Sequence, residues 1–238
     1  MEVHHHSHTE RKKWTHYFWE FFMLFLAVFA GFLAENQREH FAEHKREKQY
    51  MQSMLEDLSK DTLEISRISL LNTTHVDYID TLLNTLLLPF PMDLRTRKKL
   101  NDLIWASMGG EMAVFTQRTL SQLKNAGGLR LVRKKEVADL ISVHDSKIQY
   151  LGVITKSLDE STTDAARVGS EIFDLNYSRL NHDEKYELIT HDQKSLKKFF
   201  NCAYLVQNVF KHYNDHLQQE KQIAIQLMQL IKKEYHLK

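Results

Sequence analysis

The sequence predicts an all-α fold: an N-terminal transmembrane helix that continues into an elongated, antiparallel helical bundle of coiled-coil-like character. Three observations carry this reading. The 238 residues include only 2 prolines and 7 glycines, too few for the tight turns of a β-rich chain of this size. One uninterrupted apolar run lies near the N-terminus. Three later segments repeat apolar residues on three- and four-residue steps.

The apolar run FFMLFLAVFAGFLA, residues 21–34, contains no polar side chain. Alone it is short against the roughly 20 residues that cross a bilayer. Trp14, Tyr17, Phe18 and Trp19 extend it from Phe21 with aromatic residues suited to the headgroup level, so residues 14–34 read as one span. It is apolar all round, unlike the one-faced helix of a soluble core. Glu20, near its start, can reach the interface or a polar group of a partner helix. Ala27 and Gly31 are four apart, as are Ala30 and Ala34, a spacing that lets two spanning helices approach closely.

Arg11, Lys12 and Lys13 precede the span, whereas Arg38 beyond it is matched by Glu35 and Glu39. The positive-inside rule then places residues 1–13 in the cytoplasm as a short leader and the bulk of the chain in the periplasm. Val28-Phe29-Ala30 has the form of a signal-peptide cleavage site, but the bulky aromatics and long leader fit an uncleaved signal anchor better.

Residues 35–50 are almost wholly polar and rich in helix formers, which suits a charged helical stalk. From residue 51 to 238 the chain reads as a helical bundle. Its first stripe runs through Met51, Leu55, Leu58, Ile65, Ile68, Val76, Ile79, Leu83 and Leu86, and Pro89 and Pro91 stop it. With the stalk this makes a rod of roughly 80 Å if unbroken. Asn72, Thr73 and Thr74 are poor helix formers and mark the expected kink.

A short helix is expected from Asp93, its N-cap, to Met108, ended by Gly109-Gly110. Another is expected from Glu111 to Asn125, closed by Ala126-Gly127-Gly128. Val137, Leu140, His144, Ile148, Leu151, Thr155, Leu158, Thr162, Ala165, Gly169 and Ile172 form a heptad seam. A longer seam follows Asp192: Leu196, Phe199, Ala203, Val206, Phe210, Tyr213, Leu217, Glu220, Ala224, Leu227, Ile231 and Glu234. Such seams must pack on one another or on a second copy.

Candidate chemistry is sparse. His40-Phe41-Ala42-Glu43-His44 fits the H-x-x-E-H pattern of some zinc peptidases, but it falls on a charged stalk with nothing to exclude water. His212 and His216, one helical turn apart beside Asp215, could chelate a transition metal, and two exposed histidines are the plainer reading. His144 on its seam reads as a hydrogen-bonded core histidine. His4, His5, His6 and His8 form a short tract that could bind metal weakly, with no role assigned to it. Arg95, Arg97, Lys98 and Lys99 form one basic cluster and Arg130, Arg133, Lys134 and Lys135 another, each suited to a solvated helix end or an anionic surface.

Net charge is +1 and no aromatic residues interleave with the basic clusters, so nucleic acid is not an expected partner. No phosphate-loop, dinucleotide, nucleophile-elbow or C-x-x-C motif occurs, and Cys202, the only cysteine, reads as packing. No cofactor is expected.

The leader MEVHHH, the 14–34 span running into Glu35-Asn36-Gln37-Arg38-Glu39-His40, and Gln122-Leu123-Lys124-Asn125-Ala126-Gly127-Gly128-Leu129-Arg130-Leu131 together carry a resemblance. Over roughly residues 1–135 the chain resembles the single-span, membrane-anchored helical proteins widespread in the Bacteroidota. The resemblance implies an inner-membrane protein of a diderm bacterium with a periplasmic helical domain, and it brings no activity or site residue with it. The expectation is a non-enzymatic envelope protein whose partners are the bilayer and either another envelope protein or a second copy. A periplasmic small-ligand sensor signalling through a partner's transmembrane helix, and a metal-binding helical domain, are the alternatives.

Overall fold

The computed structural model describes residues 13–89, 92–125, 127–174 and 188–237. His4, His5, His6, His8, Arg11, Lys12, Pro91 and Ala126 lie outside them. Five α-helices occur among the described residues: α1 Trp14–Leu86, α2 Leu94–Met108, α3 Arg118–Asn125, α4 Lys135–Ser170 and α5 Gln193–Tyr235. Among the described residues a single 3-10 turn covers Gly128–Leu131, and there is no strand beyond one isolated bridge between Phe173 and Leu188. The chain divides into two compact units, Met1–Gln49 and Tyr50–Lys238.

In the first unit, α1 contains one 18-residue window of mean hydropathy 1.9, long and apolar enough to cross a membrane, and none of it is buried. Phe18 stacks on Phe22 and Phe25 on Phe29, each pair one helical turn apart. Glu20 receives His16 at 2.8 Å, so the charge within the aromatic flank has a partner on its own helix. Beyond Ala34, Arg38 closes a two-pronged ion pair on Glu35.

In the second unit, α1, α4 and α5 each lay a stripe into a shared interior. One cluster joins Ile79, Leu82, Leu158, Ala165, Phe199 and Val206. A second joins Ile65, Ile68, Leu151, Ile154, Tyr213 and Leu217, and a third joins Met51, Leu58, Val137, Ile141, Leu227 and Ile231. Along α1 and α4 the residue numbers rise together from the third cluster to the first, while those in α5 fall.

Every predicted seam position of α5 is buried except Glu234, which is only half-buried and takes Lys134 at 3.1 Å. The α4 seam is corrected at three points. Leu140, Thr155 and Thr162 are half-buried, and Ile141, Ile154 and Ser161 carry the stripe inward instead. A straight helix drifts relative to a strict heptad, which shifts the buried face by one residue at intervals.

One further expectation is overturned, at residues 111–117. Across Asn72, Thr73 and Thr74, where a kink is expected, helical structure continues unbroken. The Thr73 and Thr74 hydroxyls bond back to the Ser69 and Leu70 carbonyls, so these two side chains are absorbed along the helix, while Asn72 is turned into the interior.

The helix expected from Glu111 starts only at Arg118. Residues 111–117 have no helical structure because their backbone donors are taken elsewhere: Ala113 N–H donates to the Tyr213 hydroxyl at 2.9 Å and Thr116 N–H to Asp61 Oδ1 at 2.8 Å. Met112, Ala113 and Phe115 pack against the Ile65–Tyr213 cluster, so tertiary contact outweighs local preference.

The caps follow the sequence. Asp93 accepts the Thr96 N–H at 2.8 Å, and Asp192 accepts the Ser195 N–H at 2.9 Å. Gly127 takes the left-handed conformation, φ 63°, that stops a helix at low cost. Gly110 is required for a different reason. A Cβ there would fall 2.0 Å from Cζ of the buried Phe210. Gly110→Ala should therefore lower stability by about 1–3 kcal/mol as Phe210 is displaced, read as a lower melting temperature by circular dichroism.

Candidate functional site

The interior changes character between the Met51–Ile231 cluster and the Ile65–Tyr213 cluster. Asp57 and Asp61 stand one turn apart on α1 and so share a face; both are buried. His144 on α4 and Glu220 on α5 are buried as well. The segment leading into α3 supplies donors. Thr119 gives its N–H and its hydroxyl to Asp57 Oδ2 at 3.1 and 2.6 Å, and Arg118 reaches Asp57 Oδ1 at 3.0 Å. Thr116 N–H serves Asp61 Oδ1. His144 Nδ1 lies 2.5 Å from Glu220 Oε1.

Burial acts on these acids unequally. It pushes the Asp61 carboxyl above the usual carboxylate range, with the Thr116 N–H opposing. It pushes Glu220 up too, partly offset by the His144 hydrogen bond and charge. Burial likewise holds the Lys147 ammonium below its ordinary value, while the charge of Glu220 opposes.

Toward the surface, Lys147 connects this buried seat to the predicted histidine pair. Its Nζ contacts His216 Nδ1 and donates to Gln219 Oε1 at 2.7 Å. The His212 and His216 rings are 4.4 Å apart between centroids, and His212 Nε2 is 3.4 Å from the Tyr150 hydroxyl. Desolvation, then Lys147 and His212, holds His216 below its ordinary value. The pair is thus brought together, but an ammonium occupies one nitrogen that a metal would need. His40 is exposed, and His44 is exposed with Nδ1 3.4 Å from Glu47. No group of three or more His, Cys, Asp or Glu is arranged to hold a metal ion among the described residues.

His144 is the hydrogen-bonded core histidine its seam position predicts. Its partner, Glu220, occupies a position of the α5 seam. Asp57 and Asp61 were missed, since their burial depends on Thr116, Thr119 and Arg118, which lie far away in sequence. Among the other predicted features, Trp14, Trp19, Phe21, Ala27, Gly31 and Ala34 are all exposed along α1, and nothing lies within 4 Å of where a Gly31 Cβ would be. Cys202 is half-buried.

Comparison with known protein families, with curated proteins and with solved structures finds no match to this chain. The arrangement joins buried acids to an imidazole and, toward the surface, to an ammonium. It can hold charge and protons inside a helical interior, and it fastens the 111–119 segment to α1.

Replacing Asp57 with Ala should cost about 2–4 kcal/mol, because three donors lose their acceptor at once. His144→Leu alone should cost a similar or larger amount by leaving Glu220 unpaired, roughly 3–5 kcal/mol. Adding Glu220→Met to it should restore much of that loss. Thermal melts of the two single variants and the double variant measure this directly.

Proposed function

We propose that the chain is a non-enzymatic, membrane-anchored helical protein of the cell envelope that binds or scaffolds another envelope protein. The observation that carries the reading is the fully exposed apolar window of α1, which has no protein surface to cover it and matches a bilayer in length and composition. The charge asymmetry around residues 14–34 supports an N-terminus in the cytoplasm and Tyr50–Lys238 in the periplasm. The opposed numbering of α4 and α5 supports an antiparallel, coiled-coil-like bundle in that second unit.

The interaction part of the reading rests on what the helical unit leaves uncovered. Leu63, Leu70, Leu71 and Tyr78 form a second, exposed apolar stripe on α1. Val143, Tyr150 and Val153 do the same on α4, beside a shallow groove of about 420 Å³ with Ser142, Ser146 and Ile223. Exposed apolar stripes on helices suit a partner helix better than a small substrate.

In native membranes the full chain should remain in the pellet after alkaline carbonate washing. Mild-detergent purification should retain a stoichiometric envelope partner, identified by mass spectrometry. Charged substitutions at Leu70 and Val143 should each reduce its recovery if their stripe carries the contact. Release by carbonate would overturn the anchor. A preparation holding only this chain would replace the partner by self-association, with Ala27, Gly31 and Ala34 the first positions to substitute.

A further inference from the structure

Two carboxylate oxygens in the interior have nothing to bond to. Asp61 Oδ2 and Glu220 Oε2 are both enclosed and meet no donor. Their sister oxygens are occupied, by the Thr116 N–H at 2.8 Å and by His144 Nδ1 at 2.5 Å. Both lie between the same two apolar clusters, Asp61 between Leu58 and Ile65 on α1 and Glu220 between Leu217 and Ala224 on α5, and the charge of Asp61 raises Glu220. If both were ionised, two bare anionic oxygens would sit in a medium that screens them poorly and gives neither a donor. Carboxylates held in such a relation ordinarily keep one of them protonated.

The surrounding charges do not remove this conflict. From α1 come Asp57 and Asp61, and Asp57 is already matched by Arg118 and Thr119. From the start of α3 comes Arg118, committed to Asp57 with Glu56 at its edge; in the segment before it, Glu111 is engaged at the surface by Arg67. From α4 come His144, whose Nδ1 is on Glu220, and Lys147, whose ammonium is turned to His216 and Gln219. From α5 come Glu220 itself, His216 behind Lys147, and the Tyr213 hydroxyl, which accepts the Ala113 N–H. His144 is the group whose charge favours the Asp61 carboxylate, and its Nδ1 is already on Glu220.

We propose that Asp61 and Glu220 form a buried proton-binding site, holding one proton at neutral pH beyond the one that lies between His144 and Glu220. Losing it at higher pH loosens the joint at which α1 meets α4 and α5. A proton satisfies both observations at once: it gives one bare oxygen a hydrogen to donate and removes a negative charge from an interior with no counter-ion to spare. The site would make this helical unit responsive to the acidity of its compartment.

The sign follows from linkage. A carboxyl that keeps its proton to higher pH when folded contributes stability that is full below the ordinary carboxyl range, about pH 4, and is lost as pH rises through the folded value. Within that window the unfolding equilibrium constant should increase by up to about tenfold per pH unit for one proton.

Infrared spectroscopy of the full chain in mild detergent, with ¹³C-labelled aspartate and glutamate side chains, reads the proton directly. A protonated carboxyl stretch should be present at neutral pH, when exposed acids are ionised, and should fade as pH rises. Asp61→Asn should abolish it, while Asp159→Asn, an exposed position on α4, should leave it. Folded wild-type protein with no such band at neutral pH overturns the proposal, whatever the variants do. So does a band that survives in Asp61→Asn. Thermal melts across pH give the second readout: the wild type should gain stability on acidification, and Asp61→Asn should flatten that slope. An unchanged slope in Asp61→Asn also overturns it.

Discussion

Burial of one face of α5 is the constraint on which the second unit depends. Each of the three apolar clusters contains residues of this helix, from Leu196 and Phe199 through Tyr213 and Leu217 to Leu227 and Ile231. A helix of 43 residues with a continuous apolar stripe cannot remain single in water. α1 and α4 supply the covering stripes over its length, and α2 covers it near Phe199 through Leu100 and Ile104. The close approach of Gly110 to Phe210, and of Gly169 to Met108 and Phe199, are local conditions of that same burial.

How much of this could be read from the chain differs by element. The α5 stripe was legible almost residue by residue, because large apolar side chains recur there at a regular step with few polar intruders. The caps Asp93 and Asp192 were legible for a local reason, since an aspartate ahead of a helix accepts an amide two or three residues on. The 111–117 segment was not. Its residues have no strong turn signal, and its path is fixed by Tyr213, Asp61 and Asp57, all of them distant in sequence. The inward position of Asn72 was hidden too, since propensity scores a residue alone and not its neighbours across the interior.

The polar seat shows the same division. His144 and Glu220 each occupied a seam position, so their burial was legible in the pattern. Asp57 and Asp61 fall beside the apolar positions of α1, and only the folded chain reveals that Thr116 and Thr119 draw them inward. The histidine pair His212 and His216 was recognised by spacing, but its setting changes its chemistry. Lys147 stands on the pair, and the neighbouring Tyr150 ring and hydroxyl hold it at the surface of the α4–α5 contact.

The His144–Glu220 contact also determines how α4 and α5 are aligned along their length. Heptad patterns repeat, so two long stripes could in principle slide by about seven residues and still bury apolar side chains. Here a slide in one direction would set His144 against Leu227 and Glu220 against Leu151. In the other it would set them against Tyr213 and Val137. Either way a carboxylate enters an apolar layer without its imidazole, a penalty of several kcal/mol. The buried pair therefore selects one register out of several that hydrophobicity alone would accept. It contributes less to how strongly the helices adhere than to which residues meet when they do.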